Sequence, residues 1–93
     1  MGYVYFLKKQ PHSTVQWMNV MQEKTLFKLL GKRIVELRKE RNLTQEQLGD
    51  LCDMERASIA RLEGGTENIT ASTFLKLSKA LNVPLKEFFD FED

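Results

Sequence analysis

Apolar residues recur at helical spacing in short stretches from residue 25 onward, and each stretch is followed by a residue that can end a helix. In the first stretch the spacings are three, four and three residues, at Phe27, Leu30, Ile34 and Leu37. Such spacing places the side chains on one face of an α-helix. Asn42 follows, and Asn accepts the left-handed backbone that closes many helices. The pattern predicts a bundle of short helices, the first ending near Arg41.

Thr44 and Gln47 have the spacing of a capping box. In this motif the Thr hydroxyl accepts a hydrogen bond from the amide three residues later, and the Gln side-chain oxygen accepts one from the Thr amide. We therefore predict a second helix that starts here, ends by Cys52, and buries Leu48, Leu51 and Cys52. A third helix is predicted from about Glu55 to Glu63, because Gly64 and Gly65 follow it.

The predicted third helix has two different faces. At 100° per residue, one face carries Arg56, Ala57, Ala60 and Arg61, whereas Ile59 and Leu62 lie opposite. Two short helices joined by about three residues, with an exposed basic face on the second, are typical of a helix-turn-helix.

Two further helices are predicted in the remaining residues. Thr70 or Ala71 begins the fourth, which ends at Asn82 and has an apolar side formed by Phe74, Leu75, Leu77, Ala80 and Leu81. Pro84 suits the first turn of a fifth short helix. The prediction is an all-α domain of five helices over residues 25–93.

Residues 1–24 are predicted to be an N-terminal extension. Gly2 to Leu7 are rich in β-forming residues and predict one short strand. Ser13 or Thr14 could begin a helix through about Glu23, or the extension could be partly disordered.

Several classes of function are disfavoured. Cys52 and His12 are the single residues of their types, so neither a zinc set nor a Cys/His pair is predicted, and no cofactor is expected. The cluster of Asp50, Asp53 and Glu55 has no accompanying His, nucleophile or phosphate loop, so we predict no enzyme. Charged residues interrupt every apolar run, and the chain opens with aromatic rather than basic residues, so we expect neither a membrane span nor a secretory signal, and a cytoplasmic location.

The net charge of +1 is unevenly distributed. Residues 24–41 carry seven basic groups against Glu36 and Glu40, a local charge of +5. A basic segment of this kind indicates a polyanionic partner, although a solvated helix face is the more ordinary explanation.

Residues 25–89 resemble the Cro/CI (XRE) family of helix-turn-helix proteins. The resemblance rests on three segments in register: Leu-Thr-Gln-Glu-Gln-Leu at 43–48, Ile-Ala-Arg-Leu-Glu at 59–63 and Ala-Leu-Asn-Val-Pro at 80–84. It implies a five-helix, lambda-repressor-like DNA-binding domain. Within the family, the segment after the double glycine looks most like the controller proteins of restriction-modification systems.

The resemblance also implies roles for individual residues. Those matching base-contacting positions are Arg56, Ala57 and Arg61, and the alternative for the arginines is solvated surface. Those matching or lying near backbone-contacting positions are Thr44, Gln45, Ser58, Thr66, Asn68 and Thr70. Gln45 could equally serve only as the first residue of the second helix. Arg38 and Glu63 match a partly buried architectural ion pair.

Three positions depart from the family pattern. Gly49 stands where Ala is usual, and it permits a close approach of the two helices. Asp53 replaces the usual turn glycine but tolerates a left-handed backbone. Glu55 is a poor N-cap where Ser or Thr is usual, and it makes the DNA-facing half more acidic.

The sequence therefore predicts a sequence-specific regulator that binds double-stranded DNA as a homodimer on a pseudo-palindromic operator. The predicted dimer surface is Leu85, Phe88, Phe89 and Phe91, unless these residues simply cover the end of the core. The alternative function is an antitoxin-like or adaptor module that captures a protein partner through the N-terminal segment, by the Tyr3–Leu7 strand or by Trp17, Met18 and Met21.

Overall fold

The computed structural model describes residues 22–91 and consists of four α-helices followed by one 3-10 helix. The α-helices are α1 Glu23–Glu40, α2 Gln45–Cys52, α3 Arg56–Glu63 and α4 Ala71–Leu81, and the 3-10 helix is Leu85–Phe89. No strand occurs within residues 22–91. The strand and helix predicted in the N-terminal extension lie outside these residues.

The prediction of five α-helices is wrong in its last element, which is a 3-10 helix of five residues. Its backbone hydrogen bonds join residues three apart: the amide of Glu87 donates to the carbonyl of Pro84 at 3.0 Å, and that of Asp90 to Glu87 at 3.4 Å. A segment this short between Pro84 and the turn at Asp90, where the Phe91 amide donates to the Phe89 carbonyl, has little room for the four-residue bonds of an α-helix.

The core lies where the four α-helices and the 3-10 helix meet. Every helix contributes, and the residues at its centre are Leu30, Ile34, Leu37, Leu48, Cys52, Ile59, Leu62, Leu77, Leu81 and Phe88. The sequence predicts that Leu51 is buried and that Leu75 lies on the apolar side of its helix. Both predictions are wrong, because these side chains are 59% and 49% exposed. At 100° per residue, Leu75 lies about 160° from Leu77 and about 120° from Leu81, whereas Leu51 lies about 60° outside the arc formed by Leu48, Cys52 and Gly49. Leu26, rather than Phe27, packs against the core from the first turns of α1.

The turns between helices adopt the predicted left-handed backbone. Asn42, Asp53 and Asn82 have φ angles of 56°, 55° and 54°. Asp53 thus makes the turn between α2 and α3 without glycine. The capping box is confirmed, since Thr44 Oγ1 accepts from the Gln47 amide at 3.0 Å and Gln47 Oε1 accepts from the Thr44 amide at 2.8 Å.

Two buried glycines permit close contacts around α3. A Cβ atom on Gly31 would lie 2.5 Å from the carbonyl oxygens of both Leu62 and Glu63. A Cβ atom on Gly49 would lie 2.6 Å from the carbonyl oxygen of Met54. Helix α1 therefore crosses against the end of α3, and α2 packs against the turn before it.

Two arginines of the basic segment hold the last helices in place. Arg33 Nε donates to the Glu87 carbonyl at 2.7 Å, and its Nη2 donates to Glu87 Oε2 at 3.0 Å. Arg41 donates to the carbonyl oxygens of Leu81 and Leu37. These two charges serve the fold and are not freely available to a partner.

Candidate nucleic-acid interface

Helix α3 has one anchored face and one exposed face. Ile59 and Leu62 are in the core, whereas Arg56, Ala57 and Arg61 are exposed. The buried and the exposed residues lie on opposite faces because of the helical repeat, and these are the two faces predicted from the sequence. The anchored face fixes the position of α3, so the three predicted base-contacting residues are presented together on its outer side.

The side chain of Arg61 is held by two neighbours. Its Nε donates to Glu67 Oε1 at 2.5 Å, and its Nη2 donates to Ser58 Oγ at 3.2 Å. Ser58, predicted as a backbone contact, is half-buried and hydrogen-bonded within α3 in this structure. Glu67 was not among the predicted residues, and its only signal in the sequence is an acid in a loop close to a basic helix.

The start of α2 offers unpaired backbone amides. Thr44 satisfies the amide of Gln47, so the amides of Gln45 and Glu46 have no partner within the helix. These amides, together with the helix dipole, form a site that favours an anion. The Gln45 side chain, in contrast, is half-buried and its Nε2 donates to Glu63 Oε1 at 2.9 Å.

The start of α4 repeats this arrangement. Thr70 Oγ1 accepts from the amide of Thr73 at 3.2 Å and also donates to the Thr73 hydroxyl at 3.1 Å. The amides of Ala71 and Ser72 therefore have no partner within the helix. The exposed Thr66 and Asn68 lie in the loop between α3 and α4, and Thr66 Oγ1 donates to the Arg61 carbonyl at 3.2 Å.

Arg38 and Glu63 form a bidentate ion pair between α1 and the end of α3. Arg38 Nε is 2.6 Å from Glu63 Oε2 and its Nη2 is 3.1 Å from Glu63 Oε1. The two side chains are only 11% and 5% exposed. Arg38 Nη1 also donates to the Leu43 carbonyl at 2.8 Å, just before α2. The pair therefore links the three helices that form and support the helix-turn-helix.

Opposite charges lie on the two sides of α3. The exposed lysines of α1 fall within an arc of about 80° at 100° per residue and are Lys24, Lys28, Lys32 and Lys39. The backbone of Lys28 lies against Gly65, so this lysine stripe passes beside the loop after α3. The turn before α3 has a shallow concavity lined by Glu46, Asp50, Asp53 and Glu55, next to Arg56. Lys28 thus lies beside the end of α3, and the acidic concavity lies at its start.

The predicted dimer residues differ in their burial. Phe88 is completely buried and packs edge-on against Phe74 in the core, so its prediction as an interface residue is wrong. Leu85 and Phe89 are exposed, and Phe91 is half-buried. The Phe89 ring centroid lies 5.6 Å from Phe74 and 6.2 Å from Phe91, which makes a continuous aromatic surface beside the 3-10 helix.

Within residues 22–91, no group of His, Cys, Asp and Glu side chains is arranged to hold a metal ion. No helix in this part of the chain is long and apolar enough to cross a membrane.

Comparison with known proteins identifies the family. Residues 34–88 match the HTH_3 helix-turn-helix family. The chain is 38% identical over 64 residues to the control protein C.BamHI of Bacillus amyloliquefaciens, covering 68% of this chain and 79% of that protein. It is 37% identical over 54 residues to the control protein C.SmaI of Serratia marcescens, covering 58% and 64%.

A solved structure of a controller protein is also similar to this chain. The restriction-modification controller protein C.AhdI from Aeromonas hydrophila superposes with a TM-score of 0.66 at 33% identity, covering 68% of this chain and 96% of that one. The extent of the family match and the identity to these relatives agree with the fold and the capped helix pair described above. The chain therefore belongs to the HTH_3 (XRE) helix-turn-helix family of DNA-binding transcription regulators.

Proposed function

We propose that the protein binds specific sites in double-stranded DNA with α3 in the major groove. The observation that carries this proposal is the exposed face of Arg56, Ala57 and Arg61 on a helix whose opposite face is fixed in the core. The arginine fork matches the O6 and N7 acceptors of guanine, and the Ala57 methyl group can contact a thymine methyl.

Phosphate contacts come mainly from backbone amides in this proposal. The first amides of α2 and α4 are unpaired, and each helix start carries a partial positive charge. Thr44, Thr66, Asn68 and Thr70 are exposed beside them and supply hydroxyl and amide groups. Because the Gln45 side chain is bonded to Glu63, we assign the phosphate contact at this position to the backbone amide.

We further propose that two copies bind together on a pseudo-palindromic operator. One domain reads few base pairs, and a two-fold dimer places a second α3 about one helical turn away. The proposed interface consists of Leu85, Phe89 and Phe91, because Leu85 and Phe89 are both exposed on the 3-10 helix and the Phe89 ring adjoins that of Phe91. Phe88 is excluded from it by its burial.

The relatives named as control proteins support a regulator of this kind, and C.AhdI supports a link with restriction-modification genes. Capture of a protein partner by the N-terminal segment stays a sequence prediction. The segments named for it, Tyr3–Leu7 and the patch of Trp17, Met18 and Met21, lie outside the residues that the structure describes.

The test is selection of bound sites from a randomised duplex library at two salt concentrations, followed by sequencing. The proposal predicts a two-fold symmetric motif with half-sites about 10 bp apart. Arg56→Ala and Arg61→Ala should each lose the preference at a defined position. Lys86→Ala removes one exposed charge from the 3-10 helix and should retain the motif. Retention of DNA without any enriched motif would refute sequence-specific binding.

A further inference from the structure

Glu67 leaves Arg61 with a defined set of free hydrogen-bond donors. A guanidinium has five N–H groups. One, on Nε, is bonded to Glu67 Oε1, and one on Nη2 is bonded to Ser58 Oγ. The remaining three are both N–H groups of Nη1 and one of Nη2, and these can donate to acceptors on a base edge.

The loop that carries Glu67 is fixed to the end of α3 by its backbone. Gly65 has a φ of 72°, its amide donates to the Leu62 carbonyl at 3.1 Å, and the Thr66 amide donates to the Arg61 carbonyl at 3.2 Å. This pair of bonds is a Schellman motif. Gly65 is also packed against Lys28, since a Cβ atom there would lie 2.7 Å from the Lys28 Cα. The position of Glu67 relative to Arg61 is therefore set by the fold.

The ion pair contributes little to folding. The Arg61 and Glu67 side chains are 51% and 39% exposed, and pairs with such exposure are weak because water screens them. The pair instead restricts the Arg61 side chain, which would otherwise populate many rotamers. A carboxylate beside the guanidinium also repels DNA phosphates and so disfavours contacts with the backbone alone.

We propose that Glu67 is a positioning residue that directs Arg61 toward a base and away from phosphates. This inference rests on the proposed function, in which Arg61 reads a base pair. Glu67 raises the ratio of specific to non-specific binding without contacting a base itself. It therefore sets the stringency of recognition at one position of each half-site.

The test compares Glu67→Gln with Glu55→Gln by site selection and by titration of the selected and scrambled duplexes. Both substitutions remove one negative charge, from the half-buried Glu67 after α3 or from the exposed Glu55 before it. Glu55 is a suitable control because its side chain does not cap α3. We expect both variants to bind scrambled DNA more tightly. Only Glu67→Gln should lower the specificity ratio, by about three- to tenfold, because a neutral amide oxygen holds the Arg61 guanidinium less strongly than a carboxylate does.

The effect should be confined to the base-pair position that Arg61→Ala loses. Adding Glu67→Gln to Arg61→Ala should cause no further loss there, because the two residues act as one unit. In the free protein, the Arg61 Nε–Hε proton should exchange with solvent more slowly in the wild type than in Glu67→Gln, as measured by NMR.

The outcomes separate the two proposals. If the wild type enriches no motif, the proposed function fails, and this inference fails with it. If the wild type enriches a motif that Glu67→Gln retains in full, the positioning role alone is overturned. Equal exchange of the Arg61 Hε proton in both proteins would also overturn it, because the ion pair would then not restrain Arg61.

Discussion

Glu63 accepts hydrogen bonds from Arg38 on both of its carboxylate oxygens, at 2.6 and 3.1 Å, where α1 crosses the end of α3. Gln45 Nε2 bonds to the same carboxylate at 2.9 Å, and Arg38 also bonds to the Leu43 carbonyl. One buried carboxylate thus joins α1, the start of α2 and the end of α3. The orientation of α3 depends on this connection rather than on the core alone.

Replacement of Arg38 by Met should destabilise the protein by about 3 to 5 kcal/mol, because Glu63 would then be a buried charge without a cationic partner. The free energy of unfolding can be measured by urea denaturation followed by circular dichroism. Lys39→Met, at an exposed neighbouring position, is the control and should change stability by less than about 0.5 kcal/mol. The double variant Arg38→Met/Glu63→Leu should recover part of the loss. An Arg38→Met protein as stable as the wild type would contradict the architectural role of the pair.

Gly31→Ala should destabilise the protein by about 1 to 3 kcal/mol, since the added methyl group must push apart two packed backbones. The methyl carbon would lie 2.5 Å from two carbonyl oxygens of α3. Gly64→Ala is a matched control, because its methyl group would lie 3.4 Å from the nearest atom and its φ is −78°. Thermal or chemical denaturation of both variants checks this prediction. Equal stability of the two variants would show that α1 and α3 are not in close contact.

The double variant Leu85→Ser/Phe89→Ser should convert a dimer to a folded monomer, because it removes the exposed apolar side chains of the proposed interface. Multi-angle light scattering gives the mass, and circular dichroism shows whether the helices persist. Leu51→Ser is the control, since Leu51 is equally exposed but lies on α2. Phe88→Ala should instead destabilise the fold by about 3 to 5 kcal/mol, as expected for a fully buried aromatic residue. A dimer that survives the double substitution would place the interface elsewhere.

Cys52 should be unreactive in the native protein, because burial raises the pKa of its thiol above the ordinary value, an effect that nearby Lys76 partly offsets. The thiolate is the reactive form, so a thiol reagent at pH 8 should modify Cys52 rapidly only after unfolding. Above the ordinary thiol pKa, the unfolded chain binds fewer protons than the folded one, so the free energy of unfolding falls as pH rises. Fast modification of the native protein, or no difference in this pH dependence in Cys52→Ala, would contradict this assignment.

Local signals in the sequence predicted much of the fold. The Thr44–Gln47 capping box and the left-handed residues Asn42, Asp53 and Asn82 occur where they were expected, because each depends on bonds or dihedral angles within a few residues. Burial at single positions was less predictable. Leu51 occupies a two-turn helix in which the core-facing arc is already filled by Leu48, Gly49 and Cys52, so an apolar residue beside that arc remains exposed.

The candidate site could be predicted only in part for the same reason. The helical repeat alone places Arg56, Ala57 and Arg61 on one face. The Arg61–Glu67 ion pair depends on how the loop after α3 folds back, and the Gln45–Glu63 bond depends on the packing of α2 against α3. The close approach at Gly31 likewise depends on the crossing of α1 and α3. Such contacts follow from tertiary packing, which local patterns do not specify.

The most direct test of base reading by α3 is the affinity of the selected operator when single guanines are replaced by 7-deazaguanine. This analogue lacks the N7 acceptor but retains the Watson–Crick edge. If Arg56 or Arg61 bonds to that guanine, substitution should weaken wild-type binding by about five- to 100-fold, and the corresponding Arg→Ala variant should be insensitive to the substitution. Unchanged wild-type affinity at every guanine of the motif would contradict guanine recognition by α3.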